Sequence, residues 1–328
     1  VALTLSTRDR SGDERRHARA VASHLGVELI EAARDTRLVD LATSEARNLP
    51  RPSARGFAQA TTRIASKTAS FYGATAVFDG GGGDNMFASL QSTAPVADCL
   101  SANGGAGRFW RTARSIGIAA QTSIFTVARR AVVRTWTRGP AFRWPVDLAL
   151  LSPQARGMAA SAADHPWLNP PAGTLPGSAA HMALIAAAQS VVQGRDGARP
   201  LPDLSPLIAQ PVAESCLRVP SWLWTCDGQN RVIARDGCRT MLPPAIVDRR
   251  DKGAPDSFLV ELIDANCELV RAMLTEGLLA EQNILDRTAL AAALEPAALA
   301  KGFGYIRVMQ LVDAEAWVRS WSGDRAGR

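Results

Sequence analysis

Hydrophobic positions in the first part of the chain alternate between two spacings. Val1-Ala2-Leu3-Thr4-Leu5-Ser6 is a short apolar run and predicts a strand. Ala18, Val21, Ala22 and Leu25 then recur at helical spacing, with Ser11 or Asp13 placed to cap the helix and Gly26 to stop it. Val27-Glu28-Leu29-Ile30-Glu31 predicts a second strand. Residues 53–72 predict the next helix, capped by Ser53 and ended near Gly73, and Ala74-Thr75-Ala76-Val77-Phe78 reads as a buried strand after it. Strands alternating with helices predict βαβ units and a parallel sheet, so the fold class is α/β. Beyond residue 90 the strand signal fades. Residues 105–138 predict two amphipathic helices, 139–176 an irregular proline-rich stretch, and 178–193 a buried helix of small side chains. From 206 helices dominate, including 257–276 and 303–321.

Composition narrows this picture. With 328 residues, 47% hydrophobic and 21% charged, the chain can bury an ample core as a folded protein. A formal net charge of +6 points to an anionic partner, such as a nucleotide or an acidic peptide. No nucleic-acid-binding module is recognisable, and nucleic acid is not expected. Arg108, Arg111, Arg114, Arg129, Arg130, Arg134 and Arg138 stand among Phe109, Trp110, Phe125 and Trp136. That stretch reads either as solvated helix faces or as a basic surface for a peptide or protein partner. Cys99, Cys216, Cys226, Cys238 and Cys267 lack paired spacing, which argues against a disulfide framework or zinc site and for a reducing cytoplasm. No apolar run is long enough to span a bilayer.

Candidate chemistry centres on Phe78-Asp79-Gly80-Gly81-Gly82-Gly83-Asp84-Asn85-Met86-Phe87, between the third strand and a helix expected over 85–90. Glycines lack a Cβ, so backbone there can approach a ligand closely and take positive φ. Amides at a helix start can receive phosphate, and Asp84 is placed to hold a divalent cation beside it.

Two further segments accompany the glycine run. One is Ser11-Gly12-Asp13-Glu14-Arg15-Arg16-His17-Ala18-Arg19 with its continuation to Gly26. The other joins Arg231-Val232-Ile233-Ala234-Arg235 to Leu242-Pro243-Pro244-Ala245-Ile246-Val247-Asp248-Arg249-Arg250-Asp251-Lys252-Gly253. In this order the segments resemble the synthetase domain of the asparagine synthetase family, with its GDE-type loop, DE…AR…A…LG helix and R…LP…R-x-K-G segment. Gln210-Pro211-Val212-Ala213-Glu214 and Pro220-Ser221-Trp222 look most like the cyclases that close lasso peptides.

The resemblance implies a parallel-sheet ATP-pyrophosphatase (HUP-like) core with a largely helical C-terminal part. Three regions are expected: a nucleotide-binding core over 1–100, a helical and irregular insertion with a basic surface over 101–200, and a helical part completing the active site over 201–328. It also implies that ATP and Mg²⁺ adenylate a carboxylate, which an amine then attacks. The expected reaction is macrolactam closure between a lasso precursor's N-terminal amine and its Asp or Glu side chain. Asparagine synthesis with glutamine-derived ammonia, and a non-catalytic peptide- or nucleotide-binding relative, are the alternatives. The expected partners are the precursor peptide, a leader-binding protein and a leader peptidase.

Residue by residue, Asp84 matches the magnesium-binding aspartate, while Asn85 replaces the usual glutamate. Leu5, Asp79, Gly80, Gly81, Gly82 and Gly83 are the expected nucleotide contacts. Lys252 matches the lysine that stabilises developing negative charge, and Arg250 and Arg235 match the neighbouring arginines. The family's S-G-G-x-D-S pyrophosphate loop occurs nowhere in the sequence and is expected, with its strand, before Val1. Gly81 occupies the position of the family's glutamate or tyrosine, which leaves Asp203 and Glu214 as carboxylate candidates for a general base. His17, His24, His165 and His181 lack ligand spacing and read as ordinary residues. Trp222, Trp224, Trp317 and Trp321 read as core, with Trp222 or Trp224 alternatively lining a peptide channel.

Overall fold

A computed structural model of the protein describes residues 1–8, 13–52, 58–90, 92–102, 104–137, 142, 144, 146–160, 165–194, 201–250, 256–299 and 304–323. Strand β1 (Ala2–Ser6) leads to helix α1 (Arg15–Leu25), which Gly26 closes in the left-handed conformation at φ +64°. Strand β2 (Leu29–Ala33) returns parallel to β1, with Ala2 opposite Leu29 and Ser6 opposite Ala33. Helix α2 (Ala58–Phe71) follows, then β3 (Val77–Phe78) and α3 (Gly83–Met86). A helical block comprises α4 (Ala94–Ser101), α5 (Gly105–Ala119), α6 (Ile124–Thr137), α7 (Pro153–Ala160) and α8 (Pro176–Gln193). Strand β4 (Asp203–Leu204) then pairs parallel to β3, before α9 (Gln210–Leu217) and the antiparallel pair β5 (Thr225–Cys226) and β6 (Gln229–Asn230). The remainder is helical: α10 (Val232–Gly237), α11 (Pro244–Val247), α12 (Asp256–Ala265), α13 (Cys267–Thr275), α14 (Leu278–Glu281), α15 (Arg287–Ala293), α16 (Pro296–Leu299) and α17 (Gly304–Gly323).

The mixed α/β class and the parallel pairings agree with the sequence, but one continuous parallel sheet does not form among the described residues. There are three two-stranded sheets instead, and no ladder joins β1–β2 to β3–β4. Part of the reason is local. The Ala74 amide turns back onto the Ala69 carbonyl at 2.8 Å to finish α2, which leaves only Val77 and Phe78 to pair. The helix expected over 85–90 is likewise a single turn, because Ala88 takes a positive φ of 46°. The run expected over 257–276 divides at Asn266 into α12 and α13. Helix α4 and, inside the stretch expected to be irregular, helix α7 were not legible as periodic patterns.

Two apolar clusters dominate. The larger joins Val39, Leu41 and Ala60 to Phe258, Leu262, Met273, Leu290 and Val312, so residues near the start and near the end of the chain share one core. Polar contacts tie the same regions: Ser44 Oγ donates to the buried Asp313 at 3.0 Å, and the half-buried Trp317 Nε1 donates to the Leu49 carbonyl at 2.9 Å. The second cluster, with Val96, Phe109, Ile116 and Val127, binds α4, α5 and α6 together. Trp224 is buried against Ala88 and Cys216, in keeping with its reading as core.

A buried carboxylate fastens the helical block. Asp98 on α4 is fully inaccessible to solvent and accepts the Gly177 amide at 2.7 Å and the Ser221 hydroxyl at 2.6 Å. Burial pushes its carboxyl above the usual range, and the hydrogen bonds from Ser221 and Gly177 oppose that rise. A Cβ at Gly177 would lie 2.4 Å from both Asp98 Oδ2 and Ser221 Oγ, so only glycine lets the start of α8 approach this closely. Asp98→Ala would leave a buried N–H and hydroxyl without their acceptor, and is expected to cost about 2–4 kcal/mol in urea unfolding. Asp98→Asn, which keeps one acceptor oxygen, should lose less. Equal stability of Asp98→Ala and wild type would refute the latch.

Candidate active site

Strand β3 delivers the glycine run. Asp79 accepts the Gly81 amide at 2.9 Å and the Ser205 hydroxyl at 2.5 Å, and the Gly83 amide donates to the Gly80 carbonyl at 3.2 Å. Two of the amides expected to face phosphate are therefore engaged within the loop itself. Gly82 has φ +80°, and a Cβ there would meet Ile208 at 3.3 Å; one at Gly83 would meet Leu207 at 3.0 Å. Glycine at these two positions lets the loop lie against the turn over 206–208. That is a packing reason the sequence reading did not contain.

The loop ends in α3, which carries Asp84 and Asn85 into a cleft of about 350 Å³. Asn85 Nδ2 donates to the Leu184 carbonyl at 2.8 Å, fixing this wall to α8. The opposite wall is the β5–β6 hairpin and the start of α10. Gly228 in that hairpin has φ +79°, and a Cβ there would come within 2.4 Å of Ile118, so the hairpin sits tightly on α5. Asn230 Nδ2 donates to Ser89 Oγ at 3.0 Å across the cleft. Arg231 then takes the left-handed conformation at φ +58° and starts α10.

Arg231, Arg235, Arg249 and Arg250 all line this cleft. Arg231 pairs with Asp84, and Arg249 pairs with Glu14, whose two oxygens it meets at 2.5 and 2.6 Å. Arg235 meets only carbonyls, donating to Asn230 at 3.0 Å and to Val247 at 2.7 Å. Arg250 donates to the Asp227 carbonyl at 3.1 Å. Among the described residues no carboxylate forms an ion pair with Arg235 or Arg250. Burial, then the nearby Arg231 and Arg249 charges, lowers the Arg235 guanidinium below its usual pKa. Among the described residues, two cleft arginines thus form ion pairs and two do not, and the side chains lining the cavity are predominantly basic.

The expected site residues divide accordingly. Asp84 and Arg250 come together in the cleft, with Arg235 between them in chain order. Leu5 lies on β1 opposite Ala32, and Asp203 lies on β4 opposite Val77; neither lines the cleft, nor do Asp79 and Gly80 to Gly83. Glu214 sits on α9 and accepts from Gln210 at 2.8 Å, beside a separate cavity. Lys252 lies outside the described residues. His181 is buried with Nε2 2.9 Å from the Met86 carbonyl, and burial depresses its pKa, consistent with an ordinary structural residue.

Sequence reasoning assigned no role to Arg231, Arg249 or Glu14. A signal existed for the first. Arg231 and Arg235 stand four residues apart at the start of a helix, where like charges repel unless something negative lies between or beside them. Nothing local announced the partner, because Asp84 is distant in the chain.

Any Mg²⁺ here would need ligands beyond the protein. No group of three or more His, Cys, Asp or Glu side chains could hold a metal among the described residues. One carboxylate in an arginine-lined cleft does suit Mg²⁺, which commonly takes one or two carboxylates together with substrate phosphate and water. Asp84 is the residue that would hold it.

A second cavity of about 580 Å³ adjoins the first, sharing Gln229 and Arg250 with it. Trp222, Leu223 and Ile233 supply apolar lining, and the Arg108 guanidinium lies 5.5 Å over the Trp222 ring. Of the two tryptophans proposed as channel walls, Trp222 lines this groove and Trp224 fills core.

No curated protein and no solved structure matches the chain. Residues 204–319 match the family model for asparagine synthase, a stretch that begins on β4, ends within α17 and contains all four cleft arginines.

Proposed function

We propose that this protein forms an amide bond at the expense of ATP by adenylating a carboxylate, and that the product is a macrolactam closed within a peptide. The match over 204–319 supports ATP-dependent amide-bond formation in general. The observation that carries the reading is the charge imbalance of the cleft whose arginines lie in that stretch: among the described residues, Arg235 and Arg250 face it without an ion-paired carboxylate. A triphosphate is the anion that the asparagine-synthase chemistry brings.

In this reading Arg235, held by two backbone carbonyls, is a pre-positioned cation for a phosphate, needing little rearrangement when the substrate arrives. Arg250 stands at the junction of the two cavities, where the adenylated carboxylate and the peptide would meet. Mg²⁺, held by Asp84 when bound, supplies charge neutralisation of the phosphates. Lys252, two residues after Arg250 in the sequence, is the lysine that the resemblance assigns to stabilising the developing negative charge, a task that suits a compact ammonium. The groove lined by Trp222 and Ile233 favours an extended substrate over a free amino acid, since a small polar molecule gains little from apolar walls of that size. The lasso-type assignment adds the likeness at Gln210 to Glu214 and Pro220 to Trp222.

Supplied with Mg-ATP and a linear peptide bearing an internal Asp or Glu, the protein completed with the pyrophosphate loop expected before Val1 should yield that peptide less one water, with AMP and pyrophosphate released. Conversion of aspartate and ammonia to asparagine at a comparable rate would replace the macrolactam reading with an amidotransferase. Lys252→Ala is expected to cut turnover by at least about 100-fold. Its melting temperature should move by no more than about 2 °C, because a lysine flanked in sequence by charged residues and Gly253 is not expected to serve the core. Normal specific activity with a large loss of stability would remove Lys252 from the chemistry.

A further inference from the structure

Arg231 is placed unlike its neighbours. Its guanidinium meets Asp84, the carboxylate assigned above to the metal, in the same cleft that holds Arg235. The pair bridges the two walls: Asp84 stands on α3 behind the glycine run, and Arg231 stands at the head of α10 behind the β5–β6 hairpin. Arg231 is also one of five non-glycine residues with positive φ among the described residues, a conformation that costs a bulky side chain free energy and that its surroundings must hold. Its Nε additionally donates to Asn230 Oδ1 at 3.1 Å, and Asn230 in turn reaches Ser89 on the Asp84 side. Both side chains remain partly accessible, at 26% for Arg231 and 39% for Asp84, so a ligand entering the cleft can reach the pair.

From this arrangement we propose that Arg231 is a positioning residue that acts as an internal counter-ion. It pairs with Asp84 while the cleft is empty and transfers to phosphate when nucleotide enters, which removes one guanidinium from the Asp84 carboxylate and favours the cation there. A guanidinium at a carboxylate excludes a divalent cation from the same oxygens, since bringing +2 beside +1 is repulsive at these distances. A polyphosphate offers Arg231 more negative charge and a better bidentate match than one carboxylate does. Nucleotide and cation would therefore bind cooperatively, each favouring the other by the same factor, and the cation would bind weakly alone. The inference rests on the proposed function for the identity of the anion and for Asp84 as the metal ligand, and on the Arg231–Asp84 ion pair for the coupling.

The test uses the full chain, Mn²⁺ in place of Mg²⁺, and the electron-paramagnetic-resonance signal of free Mn²⁺ as readout. In wild type, Mn²⁺ alone is expected to bind weakly and ATP to tighten it. Arg231→Asn removes the guanidinium while keeping a residue that tolerates positive φ, which protects the fold. This variant is expected to bind Mn²⁺ alone about 1.5- to fivefold more tightly than wild type, the range for releasing one partly exposed ion pair. The enhancement by ATP should shrink by the same factor. Arg231→Lys, which keeps the charge, should behave closer to wild type, and Asp84→Asn should lose the tight Mn²⁺ site in both backgrounds. If wild type binds ATP but Arg231→Asn, folded by circular dichroism, takes up Mn²⁺ alone no better than wild type, the counter-ion role is overturned and the proposed function stands. If wild type shows no ATP-dependent Mn²⁺ binding, both fall.

Discussion

Like charges held close together need a reason, and the cleft of this protein holds four guanidinium groups. Glu14 and Asp84 each match one of them. The fold then goes to some length to keep the other two in place. Carbonyls of Asn230 and Val247 anchor Arg235, and the Asp227 carbonyl anchors Arg250. Carbonyl oxygens can orient a guanidinium but cannot cancel its charge. The residual positive potential is what an incoming anion would use, and it is built from backbone geometry, so it exists before any ligand binds.

Much of the structure serves that geometry. The β5–β6 hairpin supplies Asn230 and Arg231 and is seated on α5 through Gly228, where no larger residue fits. The Asp98 latch fixes α4 to the start of α8 and to Ser221, just ahead of Trp222 and the hairpin. Helix α8 in turn receives Asn85 through the Leu184 carbonyl. Each wall of the cleft is thus referred to the same helical block, and a loss of stability there should loosen the site as well as the fold.

The legible part of the sequence was the part governed by local rules. Strand β1, helix α1 with its Gly26 stop, helix α2 and strand β3 follow apolar spacing, and their approximate positions could be read from it. Asp84 and Arg250 could be nominated because motifs of fixed spacing carried them. What escaped were facts about pairing across distance. Whether β1–β2 joins β3–β4 is a question of ladder partners, and neither strand's composition contains the answer. The bond between Arg231 and Asp84 spans 147 positions, and that between Arg249 and Glu14 spans 235. The glycine run shows the limit from the other side. Its freedom from Cβ was evident, but at Gly82 and Gly83 that freedom admits Ile208 and Leu207, which no local pattern could reveal.

The central claim, that the arginine-lined cleft adenylates a carboxylate, predicts a reversible first half-reaction. Isotope exchange between labelled pyrophosphate and ATP measures that step without requiring amide formation. Exchange that appears only when a peptide with an internal Asp or Glu is present, and that disappears when this residue is Asn or Gln, is the result the account predicts. Peptide-dependent release of ADP and inorganic phosphate, with no label entering ATP, would contradict it.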